Sequence, residues 1–254
     1  MQKDIYAFVQ MRMGSTRFPG KVLTKFSNGK NLFDMVTDAL LRSSFLNKDN
    51  VVILTTTSSS DDVLSEYTKD KGFLQFRGSE LDVWDRFYSA SKIFGGELIL
   101  RICGDNPFIS AGFFDPLISK ALKDDTIDYA SYRTASGLCS ILTHYGFFAE
   151  VFRGRLMSKA QAQGLTDSDR ENITGVFYNN PDKYRLFFLN IPQAFEGADI
   201  RTTVDTQEDF FIVNSILEGI GHDPISPYDV LSYLRNNPLL LKRMQGSIRL
   251  NKKS

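Results

Sequence analysis

A chain of 254 residues, of which 42% are hydrophobic, is long enough to bury one large core. Its 30 basic and 30 acidic residues cancel and neither sign forms a long block, so composition gives no reason to expect a nucleic acid or a membrane surface as a partner. The two cysteines lack the spacing of a zinc site or a disulfide framework, and no apolar run approaches a membrane span. Because the first residues also lack a secretory signal, we expect a cytoplasmic protein.

Short apolar runs alternate with segments of helical periodicity along the first half of the chain. This alternation predicts a mostly parallel sheet covered by helices on both faces, which is a three-layer α/β/α sandwich of Rossmann-like type. The acidic SSSDD segment over 58–62 is typical of a helix start, and we expect a structural role for it. The predicted strand and helix pairs are 5–10 and 32–45, 51–55 and 60–71, 73–76 and 81–94, and 97–102 and 113–123.

The alternation loosens after Asp128, where strand-like, irregular and helical segments follow one another without a regular order. Such a departure often marks a region that faces a substrate or a second subunit, so we predict one domain over residues 1–254 with such a subregion near 130–195. Strand character returns after it, before two further helices and a frayed tail. The segments are strands over 129–132 and 147–152, an irregular stretch over 134–145, helical segments through 178, strands over 184–191 and 200–204, helices over 208–217 and 227–234, and the tail 252–254.

The loop that follows the first strand carries the most informative motif. Its sequence, QMRMGSTRFPGK over 10–21, places Arg12, Arg17 and Lys21 beside two glycines and two hydroxyl groups. Guanidinium groups and exposed amides at the carboxyl end of a strand are a typical cradle for a polyphosphate. Five residues rather than four separate the glycines, which excludes a Walker A loop, and the Rossmann glycine pattern is absent. On residue types alone, an ordinary solvated loop is an equal alternative.

Two aspartates end predicted strands at the same edge of the sheet. Asp105 follows the fourth strand within RICGDNP over 101–107, and Asp205 follows the predicted strand over 200–204. Magnesium is commonly held by one or two carboxylates together with substrate phosphates. Although Asp205 taken singly is more typical of a helix cap or a turn, the two positions together predict a magnesium site.

A third strand exit reads RGSELDVWDR over 77–86. Ser79 is a candidate cap for the helix that follows, and Arg77 is left at the sheet edge, where a phosphate or a base would be bound. The histidines, His144 and His222, have no partner at ligand spacing. We therefore expect ordinary polar roles for both histidines.

Taken together, these blocks resemble the cytidylyltransferase superfamily that contains the acylneuraminate and 3-deoxy-manno-octulosonate enzymes, and most closely its spore coat polysaccharide biosynthesis protein F branch. That branch has the pattern QARMGSTRLPGKVL, which this chain matches from Gln10 to Leu23 except at Met11 and Phe18. The blocks that begin at Arg77, Arg101 and Arg201 are also similar, and the matches run in order over most of the chain. An ordered set of this kind is far more specific than a single motif.

The resemblance implies an enzyme that uses Mg²⁺, with Mn²⁺ as an alternative, to transfer CMP from CTP to an acidic sugar or a related small acceptor in the synthesis of a surface polysaccharide or glycan. Pyrophosphate would be released, and a homodimer is implied. By the same resemblance, Lys21 with Arg12 and Arg17 stabilises the reacting phosphate, and Asp105 and Asp205 bind the metal. The implied nucleotide site comprises Gln10, Arg12, Gly14, Ser15, Arg17, Lys21, Arg77, Ser79 and Gly104.

The resemblance is weaker in the acceptor half. The GLDVEVF block of the branch reads GFFAEVF over 146–152 here, so Phe148 replaces an acid. The EREHVT block reads DRENIT over 169–174, with Asn172 in the histidine position. Another nucleotidyltransferase or a glycosyltransferase of the same fold, and a nucleotide-binding regulatory protein without turnover, therefore stay open as alternatives. The implied acceptor-binding residues are Glu150, Arg170 and Glu171.

Overall fold

The structure, a computed structural model, describes residues 4–250, apart from the side chain of Leu250, and the predicted tail at 252–254 lies outside the described residues. Seven strands form one sheet. They are β1 (Ile5–Gln10), β2 (Val51–Thr56), β3 (Leu74–Gly78), β4 (Leu98–Cys103), β5 (Tyr129–Arg133), β6 (Glu150–Arg153) and β7 (Leu186–Asn190).

The strand order is β3-β2-β1-β4-β6-β5-β7. β1 pairs parallel with β2 and β4, and β2 pairs parallel with β3. β6 lies between β4 and β5 and runs antiparallel to both, while β7 pairs parallel with β5 at the edge. Because the chain extends the sheet to one side of β1 through β3 and then to the other side through β4, the carboxyl ends of β1 and β4 form a topological switch point.

Helices cover both faces of the sheet and bury two apolar clusters. One cluster includes Phe33, Phe114 and Ile216, and the cluster on the opposite face includes Trp84 and Phe177. The predicted three-layer arrangement with a mostly parallel sheet is confirmed. The helices are α1 (Leu32–Leu40), α2 (Asp62–Asp70), α3 (Val83–Phe94), α4 (Ala111–Lys123), α5 (Arg155–Gln163), α6 (Asp167–Glu171), α7 (Gly175–Tyr178), α8 (Gln207–Ile220), α9 (Pro227–Arg235) and α10 (Pro238–Leu250).

The predicted strand over 200–204 is wrong, because this segment is extended but lies outside the sheet. It crosses the carboxyl edge, where the N–H of Thr202 donates to the carbonyl of His144 at 3.2 Å and the N–H of Val204 donates to the carbonyl of Asp105 at 2.9 Å. The backbone of this segment, which reads IRTTV over 200–204, therefore bridges neighbouring loops instead of joining the sheet. The crossing brings Asp205 to the end of β4.

Helix α10 is a second difference, since the sequence analysis ended its last helix at residue 234. Met244 is fully buried against the larger cluster, whereas Leu239 near the start of α10 is 82% exposed. Because apolar residues occur at both exposed and buried positions, the apolar periodicity that predicts a helix from sequence is weak in this segment. Within residues 4–250, no helix has both the length and the apolarity that a membrane crossing requires.

Candidate functional site

A cavity of about 290 Å³ opens where the carboxyl ends of β1 and β4 meet. Open α/β sheets place ligands at such a switch point, because the connections diverge there and leave a crevice. The walls come from the first loop, the end of β4 and the segment before α8. We call it the nucleotide cavity after the ligand predicted for it. The predicted site residues that line it are Gln10, Arg12, Ser15, Arg17, Lys21, Gly104, Asp105 and Asp205.

The first half of the loop over 11–24 is fixed by a buried carboxylate. Asp61 is 1% exposed and accepts a hydrogen bond from the N–H of Met13 at 2.6 Å. The hydroxyl groups of Thr55 and Thr56 donate to its other oxygen. Burial raises the pKa of Asp61, but these hydrogen bonds outweigh burial and hold the pKa below its usual range. The sequence analysis missed this residue because it treated the segment only as a helix start.

The second half of the loop packs against α8 through aromatic rings. Phe18 meets Phe210 edge to face with ring centres 5.5 Å apart, and Phe26 stacks on the same ring at 4.4 Å. The N–H groups of Ser15 and Gly20 both donate to the carbonyl of Met13 at 2.9 Å, which closes the loop on itself. Phe18, where the family pattern has leucine, therefore has a packing role.

Gly104 lets the end of β4 approach the start of the loop. Its N–H donates to the carbonyl of Gln10 at 3.0 Å. A β-carbon at this position would lie 2.2 Å from Cγ of Met11 and 2.7 Å from the Gln10 carbonyl oxygen. Because only glycine fits here, this residue sets the spacing of the two cavity walls.

Lys21 lies between the two predicted metal ligands. Its ammonium group donates to the carbonyl of Val204 at 2.6 Å and to the carboxylate of Asp205 at 3.1 Å. The carboxylate of Asp105 lies 3.7 Å away. Two acids that are 100 positions apart in the sequence therefore face one buried cation.

Arg201 holds Asp205 from the other side. Its buried guanidinium donates to both oxygens of Asp209 at 2.8 and 3.0 Å, and to Asp205 at 2.7 Å. Asp209 also accepts the backbone N–H of Asp205 at 3.0 Å. Burial raises the pKa of Asp205, but Lys21, Arg201 and Arg17 outweigh burial and lower the pKa to about 2. Asp205 therefore remains ionised near neutral pH, as a metal ligand must.

His144 completes the contacts of Arg201. Its Nδ1 lies 2.8 Å from a terminal nitrogen of the guanidinium. Since a guanidinium only donates, Nδ1 must accept, and the proton of the neutral ring lies on Nε2. His144 lies one residue before the end of the irregular stretch over 134–145, so this histidine connects that stretch through Arg201 to the carboxylate of Asp205. The sequence analysis gave it only an ordinary polar role.

The donor set around Lys21 suits a hard divalent cation. Asp105 and Asp205 offer carboxylate oxygens, and the ammonium group between them shows that the pair attracts positive charge. Within the described part of the chain, no group of three or more His, Cys, Asp or Glu side chains forms a metal cage. Mg²⁺ and Mn²⁺ need no such cage when phosphates and water supply the other ligands. The residues present therefore fit a metal that binds together with a nucleotide.

Three of the predicted nucleotide residues lie outside the cavity wall. Arg77 donates to the backbone carbonyl of the last residue of β2 and to a carbonyl just after this strand, both at 2.8 Å, and pairs with Asp62 at 2.7 Å. The hydroxyl of Ser79 accepts the backbone N–H of Asp82 at 3.0 Å. Gly14 is exposed on the outer side of the loop. Arg77 thus braces the loop after β2, and direct contact of these residues with a nucleotide stays a prediction.

The three predicted acceptor residues do not line the site cavities either. Glu150 is 1% exposed, accepts a hydrogen bond from Arg101 at 2.6 Å and another from the hydroxyl of Tyr129. Arg170 pairs with Asp82 at the start of α3, and Glu171 is exposed at the end of α6. Glu150 therefore neutralises Arg101, which itself lines the nucleotide cavity. A role for the three at an acceptor stays a prediction.

A second cavity of about 80 Å³ adjoins the nucleotide cavity and shares Cys103, Asp105 and Asp205 with it. The ring of Phe148 forms an apolar wall and packs against Tyr132 with ring centres 4.9 Å apart. We call it the acceptor cavity after the role proposed for it below, because a ligand bound there would reach the same carboxylates as a ligand in the larger cavity. The other lining residues are Asn106, Ser140, Ile141, Thr143, Gly146 and Thr203.

Comparison of the sequence with known proteins identifies relatives over nearly the whole chain. The family described as cytidylyltransferase matches residues 6–244. The spore coat polysaccharide biosynthesis protein SpsF of Bacillus subtilis (strain 168) is 34% identical over 239 residues, which cover 92% of this chain and 95% of that protein. The uncharacterized protein MJ1063 of Methanocaldococcus jannaschii is 31% identical over 245 residues, 96% of each chain.

Solved structures are similar over most of the chain. A cytidylyltransferase from Leptospira borgpetersenii superimposes with a TM-score of 0.83 at 26% identity, covering 94% of this chain and 97% of that one. A CMP:2-keto-3-deoxy-manno-octonic acid synthetase complexed with CTP superimposes with a TM-score of 0.64 at 13% identity, covering 85% and 99%. The second likeness concerns the fold alone.

Proposed function

The chain belongs to the cytidylyltransferase family and is a nucleotidyltransferase, and on that premise we propose that it transfers CMP from CTP to a hydroxyl group of a small acidic sugar. The family expected from the ordered motifs is thereby confirmed. The observation that carries the proposal is the position of Lys21 between Asp105 and Asp205, where two cavities meet. The larger cavity would take the nucleotide and the smaller one the acceptor, so that their reacting groups meet at these residues.

The positive charge of the nucleotide cavity supports binding of a triphosphate. Arg12 and Arg17 line its exposed side, and Lys21 lies deeper, at 9% exposure. Guanidinium groups bind phosphate oxygens through pairs of hydrogen bonds. As pyrophosphate leaves, negative charge grows on the phosphate oxygens, and these cations stabilise it.

Asp105 and Asp205 would hold Mg²⁺, or Mn²⁺ in its place, and the bound ion would neutralise phosphate charge. The pKa of about 2 makes Asp205 a poor proton acceptor, which favours a ligand role over that of a general base. The acceptor hydroxyl would attack the α-phosphorus of CTP while the bond to the leaving pyrophosphate breaks on the opposite side, and the hydroxyl proton would pass to solvent water. This displacement needs no covalent enzyme intermediate.

Two observations support an acidic sugar as the acceptor. The cations Arg17 and Lys21 lie within reach of Asp205, which borders the acceptor cavity, so a carboxylate at this junction would have partners. SpsF is named for the biosynthesis of a spore coat polysaccharide. By extension, we propose a role in making a surface polysaccharide or glycan, with the subregion near 130–195 shaping the acceptor cavity and forming a homodimer contact.

A pyrophosphate-release screen tests this function. CTP, UTP, GTP and ATP are each combined with Mg²⁺ and with 3-deoxy-manno-octulosonate, N-acetylneuraminate or sugar phosphates. We expect release with CTP and an acidic sugar, and loss of release in Asp105→Asn. Release with another nucleotide but not with CTP would indicate a different nucleotidyltransferase. CTP binding without release of pyrophosphate in the presence of any of the acceptors would indicate a regulatory protein.

A further inference from the structure

We propose that the acceptor cavity binds the uncharged, hydroxyl-bearing body of the acceptor, and that Asn106 and Thr203 recognise its hydroxyl groups. The inference rests on the proposed function, because it assigns the smaller cavity to the acceptor. Beyond that function, we infer which part of the acceptor enters this cavity and which side chains recognise it.

Two residues of the cavity wall each carry a buried polar atom that has no hydrogen-bond partner among the described residues. Oδ1 of Asn106 and Oγ1 of Thr203 are buried and make no hydrogen bond within residues 4–250, and the two residues are only 5% and 7% exposed. An unsatisfied buried polar group destabilises a fold, so native structures contain few of them. Both residues line the acceptor cavity. A ligand hydroxyl, which both donates and accepts, would satisfy either atom.

The charge of the cavity wall indicates which part of an acceptor enters it. Among the described residues that line it, none is a lysine, an arginine or a histidine. Its charged groups are Asp105 and Asp205, and both face Lys21. A carboxylate deep in this cavity would lie near two acids with no cation of its own, and both its burial and this repulsion would oppose binding. The acid group of an acceptor would therefore stay at the junction, near Lys21, with its body in the cavity.

The shape of the cavity supports the same orientation. Gly146 has a φ of +67°, and a β-carbon there would lie 3.2 Å from Oδ1 of Asn106 and 2.7 Å from Oγ1 of Thr202. Glycine therefore keeps the space beside Asn106 open. The ring of Phe148 supplies a wall that suits the C–H surface of a sugar. Hydroxyl-binding groups beside an apolar wall are suited to a polyol rather than to a small acid.

Saturation-transfer NMR with three probes tests the inference on the protein with CTP and Mg²⁺. Mannitol carries hydroxyl groups only, adipate carries carboxylates only, and mannonate carries both. We expect saturable signals from mannitol and mannonate and none from adipate. Asn106→Leu and Thr203→Val remove hydrogen-bonding atoms while nearly keeping volume, and each should weaken mannitol binding about tenfold. Thr126→Val, at an exposed turn before β5, is the matched control and should bind mannitol normally.

Any one of three outcomes would overturn the inference. They are binding of adipate without mannitol, no signal from any of the three probes, and unchanged mannitol binding in both cavity variants. CTP affinity, measured by calorimetry on the same samples, separates this failure from that of the proposed function. A wild-type protein that does not bind CTP contradicts the proposed function, whereas normal CTP binding with any of these probe results contradicts the inference alone.

Discussion

Lys21 and Asp205 form an ion pair at 3.1 Å across 184 positions of the sequence. The carbonyl of Val204 accepts from the same ammonium group at 2.6 Å, so two acceptors on one segment fix its direction. The first loop and the segment before α8 therefore behave as one unit. Because Lys21 already faces both carboxylates, it offsets their repulsion before a metal binds and stays within reach of phosphates that bind there.

Replacing Lys21 by methionine should lower kcat about 10²- to 10³-fold, because a cation that opposes charge in the transition state is lost while its apolar stem is kept. The far-ultraviolet circular dichroism spectrum should stay that of the wild type. Lys25→Met, at an exposed position directly after the same loop, is the control and should keep full activity. An unfolded Lys21→Met protein would instead assign this lysine a structural role.

Asp61→Asn should weaken CTP binding about tenfold, because an amide nitrogen in place of one oxygen cannot accept the hydrogen bonds that hold the loop at Met13. Calorimetric titration with CTP and Mg²⁺ measures the effect. Asp70→Asn, at the exposed end of α2, is the matched control. Unchanged CTP affinity in Asp61→Asn would show that the loop keeps its conformation without this anchor.

Sequence reasoning found the residues whose chemistry is visible in their type. The loop from Gln10 to Lys21 combines cations with glycines, and the Gly104-Asp105 turn ends an apolar run, so both were predictable before the fold was known. The parallel sheet followed from the alternation of strands and helices, because each pattern has its own period. These features depend on short-range sequence alone.

The remaining residues of the site depend on contacts between distant segments. Asp61 anchors Met13 from 48 positions away, and the same residue in its local sequence is typical of a helix start. Asn106 and Thr203 are neutral, and only the folded structure shows that their polar atoms are buried without partners. Antiparallel insertion of β6 between β4 and β5 likewise depends on long-range pairing, which no local period encodes.

Acid should destabilise the wild-type protein, and Asp205→Asn should remove the part of this pH dependence that Asp205 causes. The pKa of Asp205 is about 2 in the folded protein and 3.8 as the ordinary value, so the ionised form stabilises the fold by about 2 kcal/mol above pH 4. This contribution is lost as pH falls toward 2, with about 1 kcal/mol gone at pH 3. Urea unfolding at pH 5 and pH 3 measures the difference. Equal losses in wild type and Asp205→Asn would contradict the lowered pKa.

Glu150→Gln should destabilise the protein by about 3 kcal/mol, since it leaves the buried guanidinium of Arg101 without its ion pair. Thermal unfolding measures this effect, and Glu171→Gln, exposed at the end of α6, is the control. At a temperature where the wild type and Glu150→Gln are both folded, KM of Glu150→Gln for the acceptor should stay near the wild-type value. A raised KM for the acceptor with normal stability would instead support the family-derived role of Glu150 as an acceptor ligand.

The hydrogen bond from Arg201 to His144 should affect metal binding, because it fixes the guanidinium that orients Asp205. His144→Leu removes the acceptor atom, and we expect about fivefold weaker Mn²⁺ binding in the presence of CTP, measured by electron paramagnetic resonance. His144→Asn places a carbonyl oxygen near the position of Nδ1 and should restore most of the affinity. If His144 has only a packing role, His144→Leu and His144→Asn should instead lose affinity equally. His222→Leu, on the exposed turn after α8, controls for the loss of an imidazole and should bind Mn²⁺ normally.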